Sequence, residues 1–243
     1  MIACVRTPEI FKYEWGGQSE SNLNRYLMFI IEDRAGEPVG YFQHPNILGI
    51  KGLTLLWYEL QRGRSWLDVT PTVIRYLWEK GQEYARRDGK TSESFCLLLG
   101  AQHPAYEALG KDSLTLVDPY AWYLRVPDLP GFLHHIKPVL EKRLAQSIAA
   151  GHSREIKISF YRDGLRLVIE KGLLTTIEPW KPSPEDGGKI AFPGLTFLQM
   201  LFGYRSYEEL HHAFADCWCD GEDLLALVNI LFPKKLSDVF PVS

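Results

Sequence analysis

The residues best placed by type and spacing to do chemistry begin with Gln61-Arg62-Gly63-Arg64-Ser65. They lie between an apolar run and a helix-like segment. The first backbone N–H groups of a helix have no partner inside it, so a glycine and two arginines at a helix start suit an anion. The same pattern also fits a strand end that turns through solvated arginines, and a short glycine motif is of low specificity. His211-His212 with Cys217-x-Cys219, and separately His134-His135, invite a metal reading. Zinc sites use Cys-x₂₋₄-Cys or His-x₃₋₅-His spacing, and adjacent histidines on a helix point about 100° apart. Core cysteines and solvated histidines are therefore expected, and no metal. Residues 195–204 (LTFLQMLFGY) are apolar nearly all round, as in a helix buried on several sides or one lining an apolar cavity.

These groups need a scaffold, and the composition allows one. The chain has 243 residues, 46% hydrophobic and 23% charged, the mixture of an ordinary globular protein with room for one large domain or two smaller ones. A net charge of −3 gives no electrostatic reason to expect nucleic acid or an anionic membrane as partner. No apolar run approaches the ~20 residues of a membrane-spanning helix, and Met1–Arg6 carries no secretory pattern, so a cytoplasmic protein is expected. Cys4, Cys96, Cys217 and Cys219 are too few and too unevenly spaced for a disulfide framework.

Periodicity supplies the elements. Arg25–Asp33 and Pro38–Gln43 read as two strands of a hairpin about the turn at 34–37, and Leu53–Leu60 as a third strand. Asp68 is the expected N-cap of a helix with Val73, Ile74, Leu77, Trp78, Tyr84 and Ala85 on one face, stopped at Asp88-Gly89. A strand at 94–99, a short helix at 104–109 and a strand at 120–126 follow. Two prolines and a glycine in 126–131 mark the boundary. Beyond it come a helix with Phe132, Leu133, Ile136, Val139, Leu140 and Leu144 on one face, kinked by Pro138, and a three-stranded meander at 155–161, 165–170 and 173–178. A polar loop at 181–189 leads to helices near 195–202, 206–214 and 222–231, with Ser206 and Glu209 as a capping box. The fold class expected is α+β in two domains, 1–126 and 127–243.

Two passages carry a resemblance. Tyr106-Glu107-Ala108-Leu109-Gly110 resembles the tyrosine-containing helix end after the fifth strand of GNAT acetyltransferases. Phe192-Pro193-Gly194-Leu195-Thr196-Phe197-Leu198-Gln199-Met200-Leu201-Phe202-Gly203-Tyr204-Arg205-Ser206, with Ile230-Leu231-Phe232-Pro233-Lys234-Lys235, resembles the C-terminal part of GNAT proteins of the enhanced-intracellular-survival type. That family has two tandem acetyltransferase-like domains followed by a sterol-carrier-like domain. The resemblance implies a GNAT-like mixed sheet with flanking helices up to residue 126, then a sterol-carrier-like α+β domain able to hold a lipid. The family's first acetyltransferase domain, which carries its acetyl-CoA site, has no counterpart in these residues. The expectation is a chain that starts at the second, usually degenerate domain, with the other half missing or separate.

The resemblance also implies roles. Acetyl transfer to an amine needs a cradle for the CoA diphosphate, a base and an acid. The family's Gln/Arg-x-x-Gly-x-Gly/Ala loop falls on Gln61, Arg62, Gly63, Arg64 and Ser65, with the bulk of Trp66 where a small residue is usual. Tyr106 matches the acid that protonates the thiolate, although Lys111 replaces the usual aromatic after the glycine. Glu59 is the candidate base, and the terminal carboxylate of Ser243 is the group that, in tandem relatives, reaches the first domain's active site. Acetyl-CoA is the implied cosubstrate, and an acetyltransferase partner chain or a homo-oligomer the implied assembly. The alternative is a non-catalytic module that supports assembly or binds a hydrophobic ligand.

Overall fold

Alternation of apolar and polar residues organises both halves of the chain. The computed structural model describes residues 7–19, 22, 25–117 and 123–237. The chain is α+β and divides near residue 120 into two compact units.

In the first unit a short helix α1 (Pro8–Lys12) precedes a hairpin of β1 (Tyr26–Glu32) and β2 (Pro38–Pro45). The run expected as one strand over 53–60 is instead broken at Leu56. Its first half, β3 (Leu53–Leu55), pairs in parallel with β5 (Phe95–Leu97), and its second half, β4 (Trp57–Leu60), pairs antiparallel with β2. Leu56 N–H donates to the Gln43 carbonyl at 2.9 Å, so the ladder to β2 starts at the break. β3 can lie against β5 because Gly52, at φ +85°, enters it. A Cβ there would sit 1.8 Å from the Ser94 carbonyl oxygen.

Helix α2 (Trp66–Arg87) starts earlier than expected. Ser65, not Asp68, is the N-cap: its hydroxyl accepts from Asp68 N–H at 3.3 Å. Val73, Leu77, Tyr84 and Ala85 face the core with Phe42, Leu53, Leu55 and Tyr58, while Trp78 is 43% exposed and leaves the stripe. Helix α3 (Pro104–Leu109) closes the unit. The strand expected at 120–126 is corrected in part. Residues 118–122 lie outside the described residues, and Tyr123–Val126 form no strand, with Tyr123 and Leu124 largely exposed.

The second unit opens with α4 (Leu129–Ala145), capped by Asp128, which accepts from Gly131 N–H at 3.0 Å. Leu133, Leu140 and Leu144 face the core; Val139, expected beside them, is half exposed. The meander appears as β6 (Arg154–Ser159), β7 (Gly164–Glu170) and β8 (Leu173–Trp180). Lys171 and Gly172, both at positive φ, form the two-residue turn between β7 and β8. Then β9 (Ile190–Ala191) pairs in parallel with β6, and β10 (Trp218–Cys219) pairs antiparallel with β9, giving the order β10-β9-β6-β7-β8. Ile156, Ile158, Leu165, Leu167 and Ile169 are buried on one face. On the other face Arg166 bridges Glu155 of β6 and Glu178 of β8.

Three further helices, α5 (Thr196–Leu201), α6 (Tyr207–Ala213) and α7 (Glu222–Leu231), complete this core. Ser206 and Glu209 form the capping box of α6, exchanging bonds of 3.3 and 2.8 Å. Among the described residues no helix is long and apolar enough to cross a membrane.

One buried group gives the first unit a pH response. His44 is fully buried, stacked on Phe29 at 4.9 Å, with Nδ1 on the Pro45 carbonyl at 2.8 Å. Burial holds its pKa below the ordinary 6.5, assisted by the charge of Lys80 and opposed by the carbonyl. The folded state therefore binds fewer protons than the unfolded state at mildly acidic pH. The contribution is intact above about pH 6.5 and declines as pH falls from there toward the folded value, by at most ~1.4 kcal/mol per pH unit. Thermal melts between about pH 8 and 5 should show this fall in Tm, and His44→Phe should flatten it.

Candidate functional site

The turn at 61–65 is built by the end of β4 and the start of α2. Arg64 N–H donates to the Gln61 carbonyl at 3.1 Å, and Gly63 takes φ +87° at the third position, as a type II turn requires. All five residues from Gln61 to Ser65 are exposed, and no atom lies within 4 Å of where a Gly63 Cβ would be. The Trp66 indole packs edge-on against Tyr58 at 4.8 Å and against His103 at 4.9 Å. The turn thus leaves its backbone open beside a 22-residue helix. Its electrostatics are mixed. Arg62 is exposed, Arg64 contacts Asp33 at 3.5 Å, and Asp68 adds a negative charge in the first turn of α2.

Behind the turn, β4 and β5 part company. Leu98 N–H still reaches the Leu55 carbonyl at 2.9 Å, and beyond that point β4 follows β2. Diverging strands leave backbone groups without a ladder partner, and buried ones must be satisfied. Two side chains from α3 and its cap do this. His103 Nε2–H donates to the Tyr58 carbonyl at 2.8 Å, while its Nδ1 accepts from Ala105 N–H at 3.2 Å. Both nitrogens are thereby used, in the neutral tautomer protonated on Nε2. Tyr106 Oη accepts from Leu99 N–H at 3.3 Å and donates to the Leu97 carbonyl at 3.4 Å. These last two bonds are longer than the usual range and correspondingly weak. Burial raises the Tyr58 hydroxyl above its ordinary range, opposed by its bond to Thr70 at 3.2 Å, and leaves it neutral.

Tyr106, Trp66, Tyr58 and His103 are thus brought together at the foot of the turn. Glu59 is not among them. It follows the buried Tyr58 on β4, so it projects from the opposite face, across from Tyr41. There burial, with the charge of Glu59 second, raises the Tyr41 hydroxyl. Ser243 lies outside the described residues. Sequence reasoning did not single out His103. The available signal was a histidine directly before Pro104, since a residue that precedes a helix-opening proline is placed to cap it.

In the second unit, one histidine of each pair has a structural partner. His211 Nδ1 bonds to the Cys217 carbonyl at 2.6 Å, its ring stacked on Tyr207 at 5.7 Å. His134 Nε2 bonds to the Ile177 carbonyl at 3.1 Å. Among the described residues no group of three or more His, Cys, Asp or Glu side chains could hold a metal ion. In α5, Phe197, Met200 and Leu201 pack into the core. A concavity of about 200 Å³ beside β6 is lined by Arg154, Lys157, Asp186 and Lys189 among others, where Lys157 pairs with Asp186 at 2.6 Å and Arg154 with Asp223.

Comparison of the chain with family models, curated proteins and solved structures returned no match.

Two outcomes follow from this geometry. His103→Ala should lower the stability of the first unit by ~1–3 kcal/mol in denaturant melts, because the Tyr58 carbonyl and Ala105 N–H lose their partner. His103→Asn, which restores the cap alone, should recover part of that loss. Burial, aided by neighbouring negative charge, pushes the Cys217 and Cys219 thiols up to about 11. At about pH 8 an aromatic disulfide reagent should label both much more slowly in the folded chain than after unfolding, Cys217 the slower of the two.

Proposed function

We propose that the chain is an N-acetyltransferase-family protein of the GNAT type. It takes the diphosphate of acetyl-CoA on the Gln61–Ser65 turn and reaches transfer to an amine together with a second acetyltransferase-like half. The observation that carries this reading is the turn itself: open backbone, Gly63 at positive φ, and two arginines, placed directly before the N-terminus of α2. Tyr106, bonded to the Leu99 N–H and the Leu97 carbonyl at the end of β5, is the acid in this reading, protonating the departing thiolate. Glu59 faces away from it, so the base comes from outside this set, which is the reason for assigning catalysis to a two-part assembly. A cytoplasmic location accompanies the reading, and the second unit is its sterol-carrier-like part.

A second reading has its own support. His103 and Tyr106 occupy the backbone groups where β4 and β5 diverge, the groups an extended amide-bearing arm would pair with. A degenerate, non-catalytic module that supports assembly or holds a hydrophobic ligand fits that closure.

Calorimetric titration separates the two. The first reading expects acetyl-CoA to bind with a Kd in the range of about 10 µM to 1 mM and to raise Tm, with Arg62→Glu weakening it at least about tenfold. No heat and no Tm shift at about 5 mM acetyl-CoA would remove the first reading and leave the module.

A further inference from the structure

Helix α4 of the second unit is used on two sides. It buries Leu133, Leu140 and Leu144, and it covers the long sheet edge at β8, where Glu141 accepts from Leu174 N–H at 2.9 Å and His134 donates to the Ile177 carbonyl at 3.1 Å. Helix α2 of the first unit is used on one. Its Thr70, Val73, Leu77, Gly81, Tyr84 and Ala85 are buried. Beside that face Leu67, Pro71, Ile74 and Trp78 follow at steps of four, three and four, which sets them in one row along the helix. Ile74 packs partly on the core, Pro71 is exposed, Leu67 is 69% exposed and Trp78 43%. Contiguous apolar surface rimmed by polar residues marks a contact site. On the far side of the row from the core stand Asp68 and Arg75, both exposed. Neither side chain has an ion pair or a hydrogen bond among the described residues.

The row and its two charges are complementary to their own copy. We propose that two copies of this chain associate through α2, antiparallel, about a two-fold axis that crosses the helix between residues 72 and 73. A two-fold contact sets one residue of the patch against a second, and the second against the first. Leu67 then packs on the partner's Trp78 and Pro71 on the partner's Ile74, each twice, over a length of ~17 Å. Asp68 reaches the partner's Arg75, also twice. The two helix dipoles run opposed, which is the favourable sense. Other arrangements lose the charge match. Sliding the partner by seven residues in one direction sets Asp68 opposite its own copy, and in the other direction sets Arg75 opposite its own copy. A parallel pair turns this flank toward the partner's Thr70 and Leu77, which are buried in its own core. Trp78 is the aromatic anchor of the contact, and the exposed charge pairs set its register more than its affinity. The patch is smaller than the ~1,200–2,000 Å² of a stable interface, so the dimer is weak, with a Kd of about 10–300 µM. The inference does not rest on acetyl-CoA binding at 61–65.

Sedimentation velocity of the full chain from about 1 to 500 µM tests it. The expected result is a monomer that becomes a dimer across this range, with Leu67→Glu weakening association at least about tenfold while the far-UV circular dichroism and Tm are retained. Register is read by charge exchange. D68R and R75D, folded by circular dichroism, should each weaken association about three- to tenfold, and the double variant D68R/R75D should return it to within about twofold of the parent. A chain that stays monomeric throughout would overturn the proposal, and a lower Tm of that monomer on Leu67→Glu would assign the row to a contact within the chain. A dimer indifferent to Leu67→Glu, or a double variant no tighter than the single ones, would overturn it as well.

Discussion

The first unit depends on how it settles the backbone groups left over where β4 turns away from β5. A buried carbonyl or amide with no partner costs about as much as several ordinary hydrogen bonds contribute, so the divergence of two strands must be filled by something. The chain fills it from within. His103 serves two elements at once, capping α3 with one nitrogen and holding the Tyr58 carbonyl with the other. Tyr106, one turn further along, ties the amide and carbonyl at the end of β5. The Trp66 indole then has a wall to pack on, beside the exposed turn.

The second unit solves the same accounting problem at a sheet edge. Glu141 and His134 are seven residues apart on α4, a rise of ~10 Å, and Leu174 and Ile177 are three residues apart on β8, also ~10 Å. Helix and strand are therefore commensurate, and two side chains meet two backbone groups without adjustment. On the solvent face, Arg166 joins β6, β7 and β8 through Glu155 and Glu178, which fixes the register that the buried alternation already favours.

Much of the fold was legible because period and punctuation agree. The meander of β6, β7 and β8, the hairpin of β1 and β2, and the capping box of α6 each rest on a local pattern that no distant contact opposes. The errors fall where a distant partner decides. The run at 53–60 is uniformly apolar, and its split at Leu56 follows from β2 and β5 competing for it, which no local signal encodes. Trp78 and Val139 continue a helical stripe yet face solvent, since the stripe is wider than the surface it packs on. Within the candidate site, the Gln61–Ser65 turn was visible as a glycine among arginines. His103 was not, because its role comes from Tyr58, 45 positions earlier in the chain.

The docking of α4 on β8 bears on how the protein can be cut. A fragment starting after Ala145 would keep every strand of the sheet and most of its apolar core. It would also bare an eight-residue border whose amides and carbonyls are ready to recruit any extended chain in solution. Solubility of an isolated C-terminal piece is thus decided by a helix outside the sheet, and a protease that nicks the loop between Ala145 and Arg154 would convert a folded domain into a seed for aggregation once the helix departs.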